Sequence, residues 1–423
     1  MDDVDDIKKY VGKKTKLIKN KKLFLDDYSP KTIINRSRER DKLGECLADV
    51  LDKQYPCPTS MAIYGSSGTG KSLLVSFLLD VLQQNAKEMY PDRKLKIIRI
   101  KASEVQTRYR VINRIYKGLY GDVKGPHDYS EIHDAIIKYL QTHSGQLYVF
   151  LDEIHEFDEK KELNHVIYTV SRLSEDVGYT PKPTNLSNNK TCMSVGFITI
   201  SNNAMIESKL KDNTKSTYQK AERIFFNKYN SKDIFEILQE RINEGVLMPD
   251  VFEKDGVGLE GGLKLIASLS AENEFDARFA LHLLHQSAKL SEKKGKSCIG
   301  EDEIKEANTY LKENMLKSIL EECNEIQLEI LDVVYKISKK KNPEEHITSK
   351  NIFDEMNIDH PEFYVNHPAL GRISKIFSRF FFKNDIFYSY NISGRRGQSR
   401  GIGTDETIKV VEEFLSERDK MLR

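Results

Sequence analysis

Gly65-Ser66-Ser67-Gly68-Thr69-Gly70-Lys71-Ser72 decides the fold of this chain. The stretch fits G-x-x-x-x-G-K-[ST], the phosphate-binding P-loop, which needs a strand before it and a helix after it. Met61-Ala62-Ile63-Tyr64 reads as the strand leading in. Leu74, Phe77, Leu78, Val81 and Leu82 recur at the period of a helix with one apolar face. In such a loop Gly65, Ser66, Ser67, Gly68, Thr69 and Gly70 turn backbone N–H groups onto phosphate oxygens, at the positive end of the helix dipole. Lys71 is expected to reach the β- and γ-phosphates, and Ser72 to hold Mg²⁺. The expectation is a protein that binds ATP and ADP.

Downstream lies the other half of an ATPase site. Leu147-Tyr148-Val149-Phe150-Leu151 is a continuous apolar run, as buried parallel strands are, and Asp152-Glu153 ends it. Asp152 is expected to orient Mg²⁺ through water, and Glu153 to polarise the attacking water as general base. Three further strands are expected at 96–100, 195–200 and 224–226. Helices are expected at 36–53, 104–119, 132–140 and 160–175, with a long loop over 176–194. Strands alternating with helices predict a parallel α/β sheet. Asn202 closes the fourth strand, within reach of the attacking water if that strand neighbours the P-loop strand.

Past residue 228 the pattern is helical, at 233–244, 259–271 and 277–292, and through 301–336. In the third helix Ala277, Leu281, Leu284 and Ala288 share a face, and Arg278 is expected to point away from it. Arg278 reads as a clasp on the γ-phosphate or as a solvated arginine. A final unit holds helices near 348–356 and 367–383 and a strand at 386–390. On the second helix Leu370, Ile373, Phe377, Phe380 and Phe381 form the apolar face, and Arg372, Lys375, Arg379 and Lys383 another. Asn391–Gly401 reads as a hairpin tip carrying Arg395, Arg396 and Arg400 and no acid. A basic helix followed by a basic hairpin describes a winged helix on DNA.

Composition limits the alternatives. At 423 residues the chain is expected to form two to four domains. It has 39% hydrophobic and 31% charged residues, with no apolar run that would span a bilayer and no signal-peptide pattern, so a cytoplasmic, nucleoid-associated protein is expected and no membrane partner. The net charge is only +1, so any nucleic-acid surface must be local, and the cations of the last unit supply one; Arg110, Arg114 and Lys117 recur at helical spacing on the other face of the 104–119 helix. The five cysteines are dispersed, which fits a reducing compartment without disulfides or zinc. His282 and His285 read as plain helix surface. Residues 1–22 alternate acids and lysines and read as a flexible arm, either solvated or lying against DNA phosphates.

Taken in order, these stretches resemble the AAA+ replication initiators of the origin recognition complex and cell division control type, especially the archaeal single-chain form. The likeness begins at Lys22–Pro30 and Asn35–Arg40, which resemble the family's lead-in near the adenine. It continues through the P-loop, Asp152-Glu153, Ile200-Ser201-Asn202, Phe226–Tyr229, Asp276-Ala277-Arg278 and the segment 393–401. The resemblance implies a sheet order 5-1-4-3-2, a helical lid and a C-terminal winged helix. It implies that Tyr229, and Arg241 twelve residues on, contact nucleotide. It also implies that the helix bearing Arg110, Arg114 and Lys117 is the initiator-specific insertion that touches DNA.

The expected division is an arm over 1–22, an AAA+ α/β domain over 23–228, a lid over 229–312 and a winged helix over 313–423. The implied function is an origin-binding ATPase switch with double-stranded DNA, the replicative minichromosome maintenance helicase and other initiator protomers as partners. Hydrolysis is expected to be slow. Many members carry an arginine in a Leu-Asp-Pro-Arg-like segment; here the chain reads Leu210-Lys211-Asp212-Asn213-Thr214-Lys215, so Lys209, Lys211 and Lys215 are the nearest substitutes for an arginine finger. The alternatives are an ATP-liganded regulator of transcription or plasmid replication, and a clamp-loader-like or transposition ATPase.

Overall fold

The structure is a computed structural model. It describes residues 17–421, except 26–27, 29, 31, 53–56, 92–93, 122–124, 126–127, 158–159, 179–191, 249–250, 253–257, 273–276, 341–345, 360–369, 383, 385, 395–396 and 405–406. The chain forms two compact units, Met1–Glu301 and Asp302–Arg423.

The first unit opens with helix α1 (Ser37–Ala48), strand β1 (Met61–Gly65) and helix α2 (Lys71–Met89). Strand β2 (Leu95–Lys101) follows, then helices α3 (Ala102–Val105), α4 (Arg108–Tyr120) and α5 (Tyr129–Thr142). Next come β3 (Gln146–Asp152), α6 (Lys160–Asp176), β4 (Ser194–Ser201), α7 (Asp212–Tyr218) and β5 (Glu222–Phe226). The five strands lie in the order β2-β3-β4-β1-β5, all parallel, which is the order the resemblance implied read from the other edge.

Alternation along the strands builds both faces of the sheet. Met61 and Ile63 of β1 pack with Leu43 and Leu47 of α1 and Leu74 and Leu79 of α2. Ala62 and Tyr64 face the other way, into a core shared with Ile112 and Ile115 of α4, Ile132 and Ile136 of α5, and Val166 of α6. Because period-2 strands are covered by a helical layer on each face, the sheet reads as near-continuous apolar runs, which made it legible.

Some expected details differ. The helix at 104–119 is two helices, broken where Gln106 takes a left-handed φ of 42°. In the second of them Val111 is buried, while Tyr109 in its first turn is 40% exposed. On α2 the inner positions are Leu74, Val75, Leu79 and Leu82, and Val81 faces outward at 38% exposure. The expected arm is packed from Leu17 onward: Leu17 and Ile18 are buried, and Ile18 bridges Leu247. Most of the loop at 176–194 lies outside the described residues.

A helical group completes this unit: α8 (Ser231–Asn243), α9 (Gly258–Glu272) and α10 (Ala277–Lys293). Helix α8 begins at a reciprocal capping box between Asn230 and Asp233, which fixes where the lid starts after β5. His285 is not plain helix surface. It is half-buried, and its ring stacks on Phe24 at 4.5 Å.

The second unit holds α11 (Glu301–Glu321), α12 (Glu325–Lys340), α13 (Ser349–Asp359) and α14 (Leu370–Ile376). Helix α14 runs on as a π-turn over Phe377–Phe381. An antiparallel hairpin of β6 (Tyr388–Gly394) and β7 (Gly397–Gly403) follows, then α15 (Thr407–Met421). Ile373, Phe377 and Phe381 pack on Ile386 and Phe387, and Ile347 bridges Ile402 to set the hairpin against the helices. This is a winged helix. Its hairpin is longer than expected: Asn391–Gly394 pairs with Gly397–Arg400, so those residues are strand, and Ile386-Phe387 belongs to the core before the strand. Tyr390 lies against Gly401, and Tyr388 against Gly403, where side chains on those glycines would collide with the rings. Among the described residues, no helix is long and apolar enough to cross a membrane, and the five cysteines are thiols rather than disulfides.

Candidate nucleotide-binding site

A cleft of about 390 Å³ opens where β1, β3 and β4 end, and α8 and α10 line its other side. Clefts of this size hold small ligands, and the carboxyl ends of parallel strands are where α/β sheets place them. Ser67, Gly68, Gly70, Lys71 and Ser72 line it. Gly65, Ser66 and Thr69 stand behind. Lys71 is 4% exposed, and its ammonium donates to the carbonyls of Gly65 at 2.8 Å and Ser66 at 2.6 Å. Those are protons that phosphate oxygens can compete for. Gly70 takes a left-handed φ of 82°, and a Cβ there would lie 2.9 Å from the Tyr229 hydroxyl. Tyr229 therefore closes over the loop because position 70 has no side chain.

Ser72 Oγ donates to Asp152 Oδ1 at 3.0 Å. Burial pushes the Asp152 carboxyl up, against the lowering effect of the Ser72 bond. A hydroxyl and a half-buried carboxylate in contact are hard oxygen donors of the kind Mg²⁺ takes. Among the described residues no group of three or more His, Cys, Asp or Glu is placed to hold a metal, so an ion here would complete its shell with phosphate and water.

Glu153 sits at φ 56° directly after β3. Its carboxylate is 3.4 Å from the Lys101 ammonium and 3.5 Å from Ser103 Oγ, because Lys101 pairs with Asp152 across β2 and β3. Asn202 lines the cleft opposite and touches His155 by main chain and side chain. Burial pushes the His155 imidazole down.

The lid side holds Tyr229, Arg241 and Arg278. Arg241 is buried, with its guanidinium 4.5 Å over the Tyr28 ring and 3.5 Å from Glu244. Burial lowers the Arg241 pKa and raises that of Tyr28. Arg278 is exposed and lines the cleft together with Ala277 and Leu281, so it does not point away from them. The core face of α10 is instead Phe279, Ala280, Leu283, Leu284 and Ala288.

Three contributors were not singled out as site residues, although Tyr28 and Arg36 lie in the stretches Lys22–Pro30 and Asn35–Arg40 that carry the resemblance. Arg36 donates to Thr69 O at 3.0 Å and Asn227 O at 2.8 Å, partners 33 and 191 residues away. His155 and Tyr28 likewise meet their partners only through the fold.

The expected DNA-facing cations are exposed where described. Arg110, Arg114 and Lys117 lie on the outer face of α4. Arg114 and Lys117 border an open groove with Lys96 and Arg99 along the edge strand β2. Arg372 and Lys375 are exposed on α14, and Arg379 on the π-turn. Arg400 pairs with Asn391 in the hairpin; Arg395, Arg396 and Lys383 fall outside the described residues. Lys209 and Lys211 are exposed before α7, and Asn213 caps Thr214 within it.

Comparison with known proteins agrees with this architecture. Residues 58–181 match the AAA domain family, and residues 235–309 match the Cdc6 AAA+ ATPase-type lid domain. The ORC1-type DNA replication protein 1 of Sulfolobus acidocaldarius is 25% identical over 97% of this chain and 96% of its own length. The ORC1-type DNA replication protein of Methanocorpusculum labreanum is 28% identical over 75% of this chain and 70% of its own. Among solved structures, the Aeropyrum pernix ORC1 protein in complex with DNA superposes with a TM-score of 0.70 at 24% identity, covering 96% of this chain and 98% of that one.

Proposed function

We propose that this chain, which belongs to the ORC1/Cdc6 family of AAA+ ATPases, is a replication initiator that binds double-stranded origin DNA under the control of bound ATP or ADP and helps to recruit or load the replicative helicase. The observation that carries the reading is the joint lining of one cleft by the P-loop, Asp152-Glu153, Asn202 and, from the lid, Tyr229, Arg241 and Arg278. A site lined from both sides can couple its ligand to the position of the lid.

Mg²⁺ held by Ser72 and Asp152 would neutralise phosphate charge when bound. Lys71 exchanges its loop carbonyls for phosphate oxygens. Glu153 accepts a proton from water once its carboxylate leaves Lys101, and Asn202 orients that water or the γ-phosphate. Tyr229 and Arg241 hold the base and sugar side, and Arg278 reaches the γ-phosphate from the lid. With lysines rather than an arginine before α7, hydrolysis is slow, and the protein works as a switch more than as a motor.

The α/β part over 23–228 and the lid over 229–312 bind nucleotide. The winged helix over 313–423 meets DNA through Arg372, Lys375, Arg379, Arg395, Arg396 and Arg400. Arg110, Arg114 and Lys117 add a second DNA contact. Further copies of the chain, and the helicase, complete the assembly.

Footprinting on the host chromosome with and without ATP tests the initiator role. Protection at a replication origin that depends on nucleotide is expected; protection confined to promoters would assign a transcription regulator instead. Glu153→Gln tests the base, with ATP binding retained and turnover lost.

A further inference from the structure

We propose that His155 is a positioning residue that sets Asn202 as a hydrogen-bond donor toward the γ-phosphate. The inference rests on reading the cleft as an ATP site. His155 lies in the short turn Ile154–Glu156 after β3, and Asn202 follows β4. The two strands are neighbours, with Leu151 paired to Thr199, so their ends bring both residues to one rim.

Two contacts join them. The Asn202 backbone N–H donates to His155 Nδ1 at 3.3 Å, and Asn202 Nδ2 lies 3.0 Å from Nε2. A backbone N–H can only donate, so Nδ1 must carry a lone pair. A neutral imidazole then bears its proton on Nε2. That proton faces Glu156 Oε1 at 3.2 Å and the Asn202 amide. A donor meets an amide by its oxygen. Half a turn of the amide, which leaves its shape unchanged, presents Oδ1 to Nε2–H and turns Nδ2 outward. With its oxygen engaged, Asn202 has only donors to offer the cleft, which suits an anionic phosphate oxygen.

Burial lowers the pKa of the ring and so favours its neutral form, with Glu156, Glu153 and Asp152 acting the other way and Lys71 with it. The neutral form keeps the Nδ1 lone pair that holds the main chain of Asn202.

A residue that merely ties the ends of β3 and β4 together would affect folding but not the choice between ATP and ADP. The test is therefore equilibrium binding of ADP and of the β,γ-imido analogue of ATP, both with Mg²⁺, to the full chain. The readout is the ratio of the two dissociation constants, with thermal melting run alongside. His155→Phe and Asn202→Ala should each reduce the preference for the analogue by about tenfold, the worth of one hydrogen bond to a charged group. The double variant should lose no more than either single one. His155→Asn places an amide where Nδ1 was and keeps only the main-chain contact, so it should lose the preference while folding as the wild type does. His155→Gln reaches the Nε2 position and should recover most of it. Variants that bind nucleotide with an unchanged ratio, or single effects that multiply, would overturn the role of His155 while leaving the site intact. A wild-type chain that binds neither nucleotide would overturn the site and this role together.

Discussion

The guanidinium of Arg36 lies 3.9 Å over the ring of Tyr229 while donating to the carbonyls of Thr69 and Asn227. One buried cation thus ties the segment before α1, the P-loop and the strand-to-lid junction. Arg36→Ala leaves two carbonyls without their donor and removes the ring's platform. Bonds to a charged donor contribute about 1.5–3 kcal/mol each, so a loss of about 2–4 kcal/mol in stability of the first unit is expected, after partial rescue by water. Arg36→Lys keeps the charge but not the fork, and should recover less than half of the loss. Denaturant melts read the stability, and titration with ADP reads the accompanying loss of nucleotide affinity, expected to be tenfold or more.

The Gly70–Tyr229 approach makes a sharper claim, because it separates two penalties. Gly70→Ala incurs the left-handed backbone strain of about 1–2 kcal/mol and also drives a methyl to 2.9 Å from the Tyr229 hydroxyl. Removing that hydroxyl leaves the ring's Cζ, at 4.0 Å, as the neighbour, an ordinary contact. Gly70→Ala should therefore weaken nucleotide binding severely, and Tyr229→Phe in the same chain should restore part of it. Tyr229→Phe that gives no recovery would mean that backbone strain alone explains the loss.

How much of this was legible in the sequence depended on range. The sheet was readable because each strand is a local apolar run, and the P-loop because its eight residues are contiguous. Lys71, Ser72, Asp152, Glu153 and Asn202 follow from strand ends, so the parallel topology brings them to one rim without further information. His155 has no such signal, since a histidine after an acidic pair is common, and Arg36 shares only in the Asn35–Arg40 likeness; tertiary contact alone gives each its partners. A helix boundary was not legible where a single residue interrupts the segment: the left-handed Gln106 splits the expected 104–119 helix in two. The shared face of Ala277 and Leu281 turns to the cleft rather than the core, and Arg278 lines the cleft with them.

His285 gives the lid a dependence on pH. Its pKa is lowered to about 4 by burial, with Lys289, His282 and Lys21 adding repulsion. Its Nε2 is buried and has no hydrogen-bond partner among the described residues. In the unfolded chain the same group titrates at its ordinary value of 6.5. As pH falls from 6.5 to about 4, the unfolded chain takes up a proton that the folded chain refuses, so the contribution to stability is present above 6.5, declines across this window, and is flat below it. His285→Phe keeps a ring on Phe24 and removes the proton. Unfolding midpoints at pH 7 and pH 4.5 should show the variant gaining on the wild type at acid pH by an amount on the order of 1 kcal/mol, discounted for a half-exposed ring. A constant difference between the two proteins would remove His285 from the pH response.

The wing offers the most direct test of the DNA reading. Asn391–Gly394 and Gly397–Arg400 pair in register, which leaves Arg395 and Arg396 as the two residues joining them. In a chain of net charge +1, affinity for DNA must come from local cations, and each phosphate neutralised contributes about 0.9 to the slope of log K against log salt. Arg395→Ala with Arg396→Ala should therefore weaken binding to double-stranded DNA and reduce that slope by about 1.8, with nucleotide affinity unchanged. Arg372→Ala on α14 should do something different if the helix enters the major groove. It should lower affinity for the preferred site more than for random sequence, by about 1–3 kcal/mol if the guanidinium meets a base edge. Binding isotherms on both DNAs at several salt concentrations separate the two effects. A wing variant whose slope matches the wild type would place the phosphate contacts elsewhere, with the exposed cations of α4 as the next surface to neutralise.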